Sequence, residues 1–206
     1  MKAASVGQQT VPEGVYPWAV ALERVEAGER TPTSFCGGAL IAPRFVITAA
    51  HCAQVEGLNS PAQVKRAHLK ARFANLAGKP AVSALSMNVP GSYWVRMWGR
   101  RAQSDVAIVE LASPAPTAPH PVSAQAPQVG QVAGDLGYGL TPENPSSMSA
   151  DLLQATFLVA EPSRCSGSSQ TGIKARVYPE TEICTVPGPA PSDGATCPGD
   201  SGSPMT

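Results

Sequence analysis

The sequence predicts an all-β protein built as two small units on either side of a proline-rich connection. Three observations carry this. The 206 residues include 21 prolines and 19 glycines, a composition that supplies many turns and suits short strands better than long helices. The apolar residues recur in short runs with strand-like spacing, separated by turn residues. Between Ala112 and Pro127 the texture changes to five prolines with no carboxylate, lysine or arginine, which reads as an extended linker.

Taken in order, Val15 to Val25 mixes apolar and polar residues around Pro17-Trp18 and predicts a strand, followed by a polar loop from Glu26 to Ser34. Cys36 to Ile47 is small and apolar, then β-branched, and Pro43-Arg44 between its two runs predicts a hairpin turn. Ala49-Ala50-His51-Cys52 begins a short turn or helix. From His68 to Phe73 the pattern alternates strictly, with Leu69, Ala71 and Phe73 on one face, and predicts a half-buried strand. Asp105 to Leu111 is a nearly continuous apolar run headed by a carboxylate. Beyond the linker come the runs Gln131 to Leu136 and Leu152 to Ala160, broken by Gly137-Tyr138-Gly139 and Pro142-Glu143-Asn144-Pro145. The units are expected at residues 1–111 and 128–206, with 112–127 between them.

Fifteen basic and 15 acidic residues balance, so no global field points to nucleic acid or a membrane surface. No apolar run approaches the roughly 18 residues needed to span a bilayer. Met1 to Thr10 lacks the apolar core of a signal peptide, which leaves two alternatives: a signal already removed, or another route. The five cysteines, Cys36, Cys52, Cys165, Cys184 and Cys197, form no Cys-x-x-Cys pair, which argues against zinc. Their wide spacing fits disulfides closing long loops, with connectivity left open and one thiol over.

The chemistry concentrates near the carboxyl end, in Thr196-Cys197-Pro198-Gly199-Asp200-Ser201-Gly202-Ser203-Pro204-Met205. Glycines around Ser201 permit a tight turn and close approach of a substrate carbonyl to the main chain, the setting of a nucleophile. A serine hydroxyl needs a base, commonly a histidine held by a carboxylate. Of the three histidines, His68 lies on the polar face of a strand and His120 in the linker. His51 follows small residues and precedes a cysteine that can fix its loop. Asp105 heads an apolar run, where it needs a partner. Each has an ordinary alternative: a structural histidine, and a strand-end cap or solvated charge.

The three segments Ala49-Ala50-His51-Cys52, Asp105-Val106-Ala107-Ile108 and Gly199-Asp200-Ser201-Gly202-Ser203-Pro204 occur in the order His, Asp, Ser. With Tyr16-Pro17-Trp18, Phe35-Cys36-Gly37-Gly38 and Gly137-Tyr138-Gly139, they resemble the chymotrypsin-like (trypsin-fold) serine endopeptidases from about Ser5 to Thr206. The resemblance implies two antiparallel six-stranded Greek-key barrels with the site in the cleft between them, the second barrel incomplete in the chain as given. It implies a triad of Ser201 as nucleophile, His51 as general base and Asp105 as its orienting partner, with the N–H groups of Gly199 and Ser201 as oxyanion hole. It also implies disulfides Cys36–Cys52 and Cys165–Cys184, with Cys197 the odd thiol. Expected partners are protein or peptide substrates and protein inhibitors, with no cofactor. The expected location is secreted.

Three departures qualify the resemblance. In the family Cys197 bonds to a cysteine after the nucleophile, so the chain is expected to be the larger part of a longer protein, the alternative being a natural truncation without catalysis. The family's cleaved amino terminus pairs with the aspartate before the nucleophile; here Ser5 would face Asp200, a weaker anchor than a large aliphatic residue, and Ala4-Ser5 lacks the preceding lysine or arginine that a trypsin-like activator cuts after. Ala195 stands at the base of the specificity pocket, which implies cleavage after apolar or small residues rather than lysine or arginine. No glutamate occurs between Gly57 and Val109, so no calcium site is expected. The alternative function is a catalytically silent protease homologue acting as a binding or regulatory module.

Overall fold

A computed structural model describes residues 9–25, 28–73, 80–96, 101–141, 146–168, 174–175, 180–188 and 196–206. In chain order the first elements are β1 (Gln9–Thr10), β2 (Ala19–Arg24), β3 (Thr33–Ala42), β4 (Phe45–Thr48), α1 (Ala50–Val55), α2 (Pro61–Arg66), β5 (Lys70–Phe73) and β6 (Val82–Asn88). They continue with β7 (Trp94–Arg96), β8 (Arg101–Gln103), β9 (Ala107–Leu111), β10 (Val132–Gly137), β11 (Leu153–Ala160), α3 (Pro162–Cys165), β12 (Gly167–Ser168), β13 (Lys174–Ala175) and β14 (Cys184–Pro187). The protein is mostly β. No helix among the described residues is long and apolar enough to cross a membrane.

Six strands close into a barrel in the order β2-β3-β4-β9-β6-β5, all pairs antiparallel. A barrel this small has room only for side chains inside. Leu22, Leu40, Val46, Ala71, Val109 and Leu111 are fully or almost fully buried, each leucine or valine contributing about 1.5–3 kcal/mol by leaving water. The predicted hairpin turns at Pro43-Arg44 between β3 and β4. The polar loop is shorter than expected, because β3 starts at Thr33 and pairs back to Arg24. The apolar run after Asp105 is half-buried, with Ala107, Val109 and Leu111 inward. The helix α2 was not expected; Ser60 caps it by accepting from Gln63 N–H, with Pro61 in its first turn.

A four-stranded sheet lies outside the barrel, in which β11 pairs with β1, β10 and β14. The segment 204–206 lies along β10, with Leu136 N–H donating to Pro204 O and Gly134 and Thr206 exchanging two hydrogen bonds. The proline-rich segment forms no strand, yet it does not hang free. His120 N–H donates to Leu40 O at 2.9 Å, and the His120 ring stacks on Trp18 at 4.6 Å. Between the barrel and the segment after β10, the Arg72 guanidinium of β5 sits 4.8 Å over the Tyr138 ring.

Disulfides join Cys36 to Cys52 and Cys165 to Cys184. The first fastens β3 to α1; the second fastens α3 to β14. Cys197 lies outside both.

Candidate active site

His51 and Asp105 meet because β4 and β9 are register partners. Thr48 pairs with Ala107, so the chain three residues after one and two residues before the other leaves the barrel at the same corner. Ser104 takes a left-handed φ of 55°, uncommon for a residue with a side chain, and turns the chain immediately before Asp105. The helix α1 has no side-chain cap of its own, since Ala49 holds the cap position. Asp105 fills that role from outside: its Oδ1 accepts from His51 N–H at 2.8 Å, and Ala50 N–H adds to the same carboxylate. Its Oδ2 lies 2.7 Å from His51 Nδ1. One carboxylate thus fixes both the main chain and the ring of His51, and with Nδ1–H donating, Nε2 is left as the acceptor.

The charges respond accordingly. The hydrogen bond to Asp105 holds His51 above the ordinary histidine value of 6.5, with burial opposing and the Asp105 charge assisting. Burial pushes Asp105 up, but the hydrogen bonds from the His51 ring and from His51 and Ala50 N–H outweigh it, so the carboxyl stays below its ordinary range. The Cys36 and Cys52 sulfurs lie near the same ring, but both are in the disulfide and so are not thiolate ligands.

The Ser201 segment forms a tight turn: Asp200 N–H donates to Cys197 O at 3.1 Å and Ser203 N–H to Asp200 O at 2.9 Å. Gly199 at φ 100° and Gly202 at φ 79° occupy conformations that side chains rarely adopt. Asp200 is buried and both its oxygens are engaged, Oδ1 by Gly139 N–H at 2.7 Å and Oδ2 by Cys197 N–H at 2.8 Å. Side chains at Gly137 or Gly139 would collide with that carboxylate, which explains the Gly-Tyr-Gly turn. Burial raises the Asp200 pKa against these two hydrogen bonds.

This turn is seated on the His51 loop through the main chain. Gly37 N–H donates to Ser201 O at 2.8 Å, and Thr48 Oγ1 donates to Gly37 O at 2.6 Å. A Cβ on Gly202 would stand 2.8 Å from Ala49 N and from Gly37 O. Neither Gly199 N–H nor Ser201 N–H is engaged by an acceptor among the described residues.

A family model described as trypsin matches residues 5–206. The chain belongs to the trypsin family. Membership makes it a chymotrypsin-type serine protease by family, and the mostly β fold with its closed six-stranded barrel agrees with that architecture.

Within the trypsin-family chain the structure therefore brings His51 and Asp105 into contact and seats the Ser201 turn on the loop that carries His51. His120 lies on Trp18, and His68 falls in the turn before β5, with φ 49° and its N–H donating to Lys65 O, so the strand starts at Lys70 rather than at His68 as the alternation predicts. Ser5 and Ala195 lie outside the described residues. Two contributors escaped the sequence reading. Thr48 is a buried hydroxyl ending an apolar strand, and Asp135 is a buried carboxylate inside the run Gln131 to Leu136. Each interrupts an apolar stretch, and that interruption is the signal.

Proposed function

We propose that this chain is a serine endopeptidase acting through an acyl-enzyme, with Ser201 as nucleophile, His51 as general base and Asp105 as the residue that holds the imidazole. The observation that carries it is the double grip of Asp105 on His51, ring and main chain at 2.7 and 2.8 Å. A carboxylate so placed presents Nε2 as acceptor and stabilises the imidazolium that forms when Ser201 gives up its proton. The Ser201 oxygen attacks the scissile carbonyl, the carbonyl oxygen takes the charge, and the N–H groups of Gly199 and Ser201 receive it. His51 then protonates the leaving amine, and water repeats the sequence to release the acid.

In this reading residues 1–111 and 128–206 are the two sides of the cleft. A terminus cut at Ser5 supplies a cation for Asp200. Ala195 implies acceptance of apolar or small residues rather than lysine or arginine before the cut.

The test is labelling with a fluorophosphonate probe, mapped by mass spectrometry. An adduct on Ser201 that disappears in Ser201→Ala and falls at least a hundredfold in rate in His51→Ala supports the enzyme. A folded chain with a correctly generated amino terminus that is not labelled would refute it and favour the silent binding module.

A further inference from the structure

The chain is neutral as a whole, but its charge is unevenly placed. Residues 57–104 contain eight of the 15 lysines and arginines and none of the 15 acidic residues, where an even spread would put roughly three or four of each. The rest of the chain holds seven basic residues against all 15 acids. In the fold α2, β5 and β6 of this stretch lie together: β5 pairs with β6, and α2 packs against β6. One flank of the barrel is therefore cationic, an imbalance that the net charge conceals.

The carboxylates that border this flank are already taken. Glu23, the register partner of Lys70, is held by Arg72, and Glu56 is held by Arg24. Glu110 of β9, beside β6, is held by Arg44, and Asp105 pairs with His51. No carboxylate among the described residues forms a salt bridge with Lys65, Arg66 or Lys70. Lys65 and Arg66 are exposed in the last turn of α2. Lys70 starts β5 between the buried Leu69 and Ala71, which puts it on the outer face. Cations at a helix C-terminus gain from its dipole, which accounts for Lys65 and Arg66. It accounts for neither Lys70 nor the lack of any acid in the stretch. Arg66 and His68 also line a cavity of about 530 Å³, but Glu29 and Glu56 are on its wall, so the unopposed charge lies on the open surface and not in the cavity.

We propose that this flank binds a sulfated polysaccharide, with Lys65, Arg66 and Lys70 as the residues that hold its sulfates. A linear polyanion suits an open row of cations, because each contact releases counterions from the polymer and no deep pocket is needed. Two observations favour a sulfated sugar over a nucleic acid. The disulfides Cys36–Cys52 and Cys165–Cys184 belong to an oxidising, extracellular-type compartment, where sulfated sugars are the common linear polyanions. The run from Lys65 to Arg72 contains no phenylalanine, tyrosine or tryptophan on which bases could stack. The site is independent of the endopeptidase reading, since none of its three residues belongs to the segments that carry His51, Asp105 and Ser201.

The site is tested by fluorescence anisotropy of a labelled heparin octasaccharide titrated with the full chain over a series of NaCl concentrations. The triple variant Lys65→Ala, Arg66→Ala, Lys70→Ala, its folding checked by circular dichroism, should bind at least tenfold more weakly. Its slope of log affinity against log salt should be shallower by about two to three, close to one for each lost contact. Lys65→Gln alone, a change at an exposed position, should weaken binding at least twofold. Arg164→Ala removes an exposed arginine of α3 outside the flank and should bind within twofold of the parent. Undiminished affinity in the folded triple variant or in Lys65→Gln, or an equal loss in Arg164→Ala, overturns the site. Equal affinity for the desulfated octasaccharide overturns the role of the sulfates. Tighter binding of a single-stranded DNA of equal charge overturns the polysaccharide in favour of nucleic acid.

Discussion

Replacing Gly202 by alanine should separate the Ser201 turn from the His51 loop. The backbone at Gly202 has φ 79°, so a side chain there costs about 1–2 kcal/mol by strain alone. The larger effect is steric. The new Cβ would stand 2.8 Å from Ala49 N and from Gly37 O, and would also press on Thr48 Oγ1. Ordinary van der Waals contact begins near 3.4 Å, so the two segments must part by about 0.6 Å against main-chain atoms that cannot rotate away. That movement stretches the 2.8 Å bond from Gly37 N–H to Ser201 O and the 2.6 Å bond from Thr48 Oγ1 to Gly37 O. A misplacement near 1 Å at a reacting group costs roughly a hundredfold in rate; we expect a 30- to 100-fold slower labelling of Ser201 and a stability loss of about 2–4 kcal/mol. The assay is the second-order rate of fluorophosphonate labelling, with urea denaturation alongside. Gly14→Ala is the control, since Gly14 has φ 81° with no atom near its Cβ position; it should cost about 1–2 kcal/mol and leave labelling unchanged. Labelling of Gly202→Ala within threefold of the parent would refute the argument that this contact sets the spacing of nucleophile and base.

Asp105→Asn should lower kcat by about 10⁴-fold, the size given by the corresponding exchange in the chymotrypsin-type triad, because the amide favours the wrong tautomer. The same variant should move the acid limb of the rate profile down, since Asp105 is what holds His51 above 6.5; a rate profile with an unmoved acid limb would count against that cause. Asp135→Asn should stabilise the chain at high pH only. The carboxyl is raised from 3.8 to about 7 on folding, so it resists folding once pH exceeds the unfolded value, and the penalty grows until pH passes 7. Melting curves should show a gain on the order of 4 kcal/mol at pH 8 and under about 1 at pH 4; equal gains at both would show that charge is not the cause. Replacing Cys36 and Cys52 together by alanine removes a bridge across a sequence separation of 16, worth about 3 kcal/mol, measured by urea denaturation.

What the sequence revealed depended on the range of the physics involved. The hairpin at Pro43-Arg44 was legible because turn chemistry is local, and so was the inward face of Ala71 and Phe73 because alternation is local. Ser201 stood out through its glycines for the same reason. The barrel order β2-β3-β4-β9-β6-β5 was not legible, since which strands close on one another depends on side-chain volumes summed over the whole core. The linker was read as extended from its prolines. Its docking through His120 and Trp18 could not be, because an aromatic stack between residues a hundred positions apart leaves no local pattern. Thr48 and Asp135 were missed differently: each is a single polar residue in an apolar run, and a pattern based on periodicity absorbs it as noise.

Those two residues show how polarity is distributed around the site. Thr48, Asp105 and Asp200 are each paired with main-chain groups, at 2.6 to 2.8 Å, and each fixes a segment: Gly37, the start of α1, the Ser201 turn. Hydrogen bonds of this kind turn burial from a cost into a constraint, because the segment cannot move without orphaning a buried group. Asp135 is buried to the same degree as Asp200, but the main-chain donor acting on its carboxylate is that of the adjacent Leu136, so it ties down no distant segment in the way Asp200 does. Burial is its main cost and the Asp200 charge adds to it, which makes the folded chain less stable whenever both are ionised. If the high-pH stability penalty vanishes in Asp135→Asn, the buried charge is its origin; if it survives, the cost of this strand position lies in its packing and not in its charge.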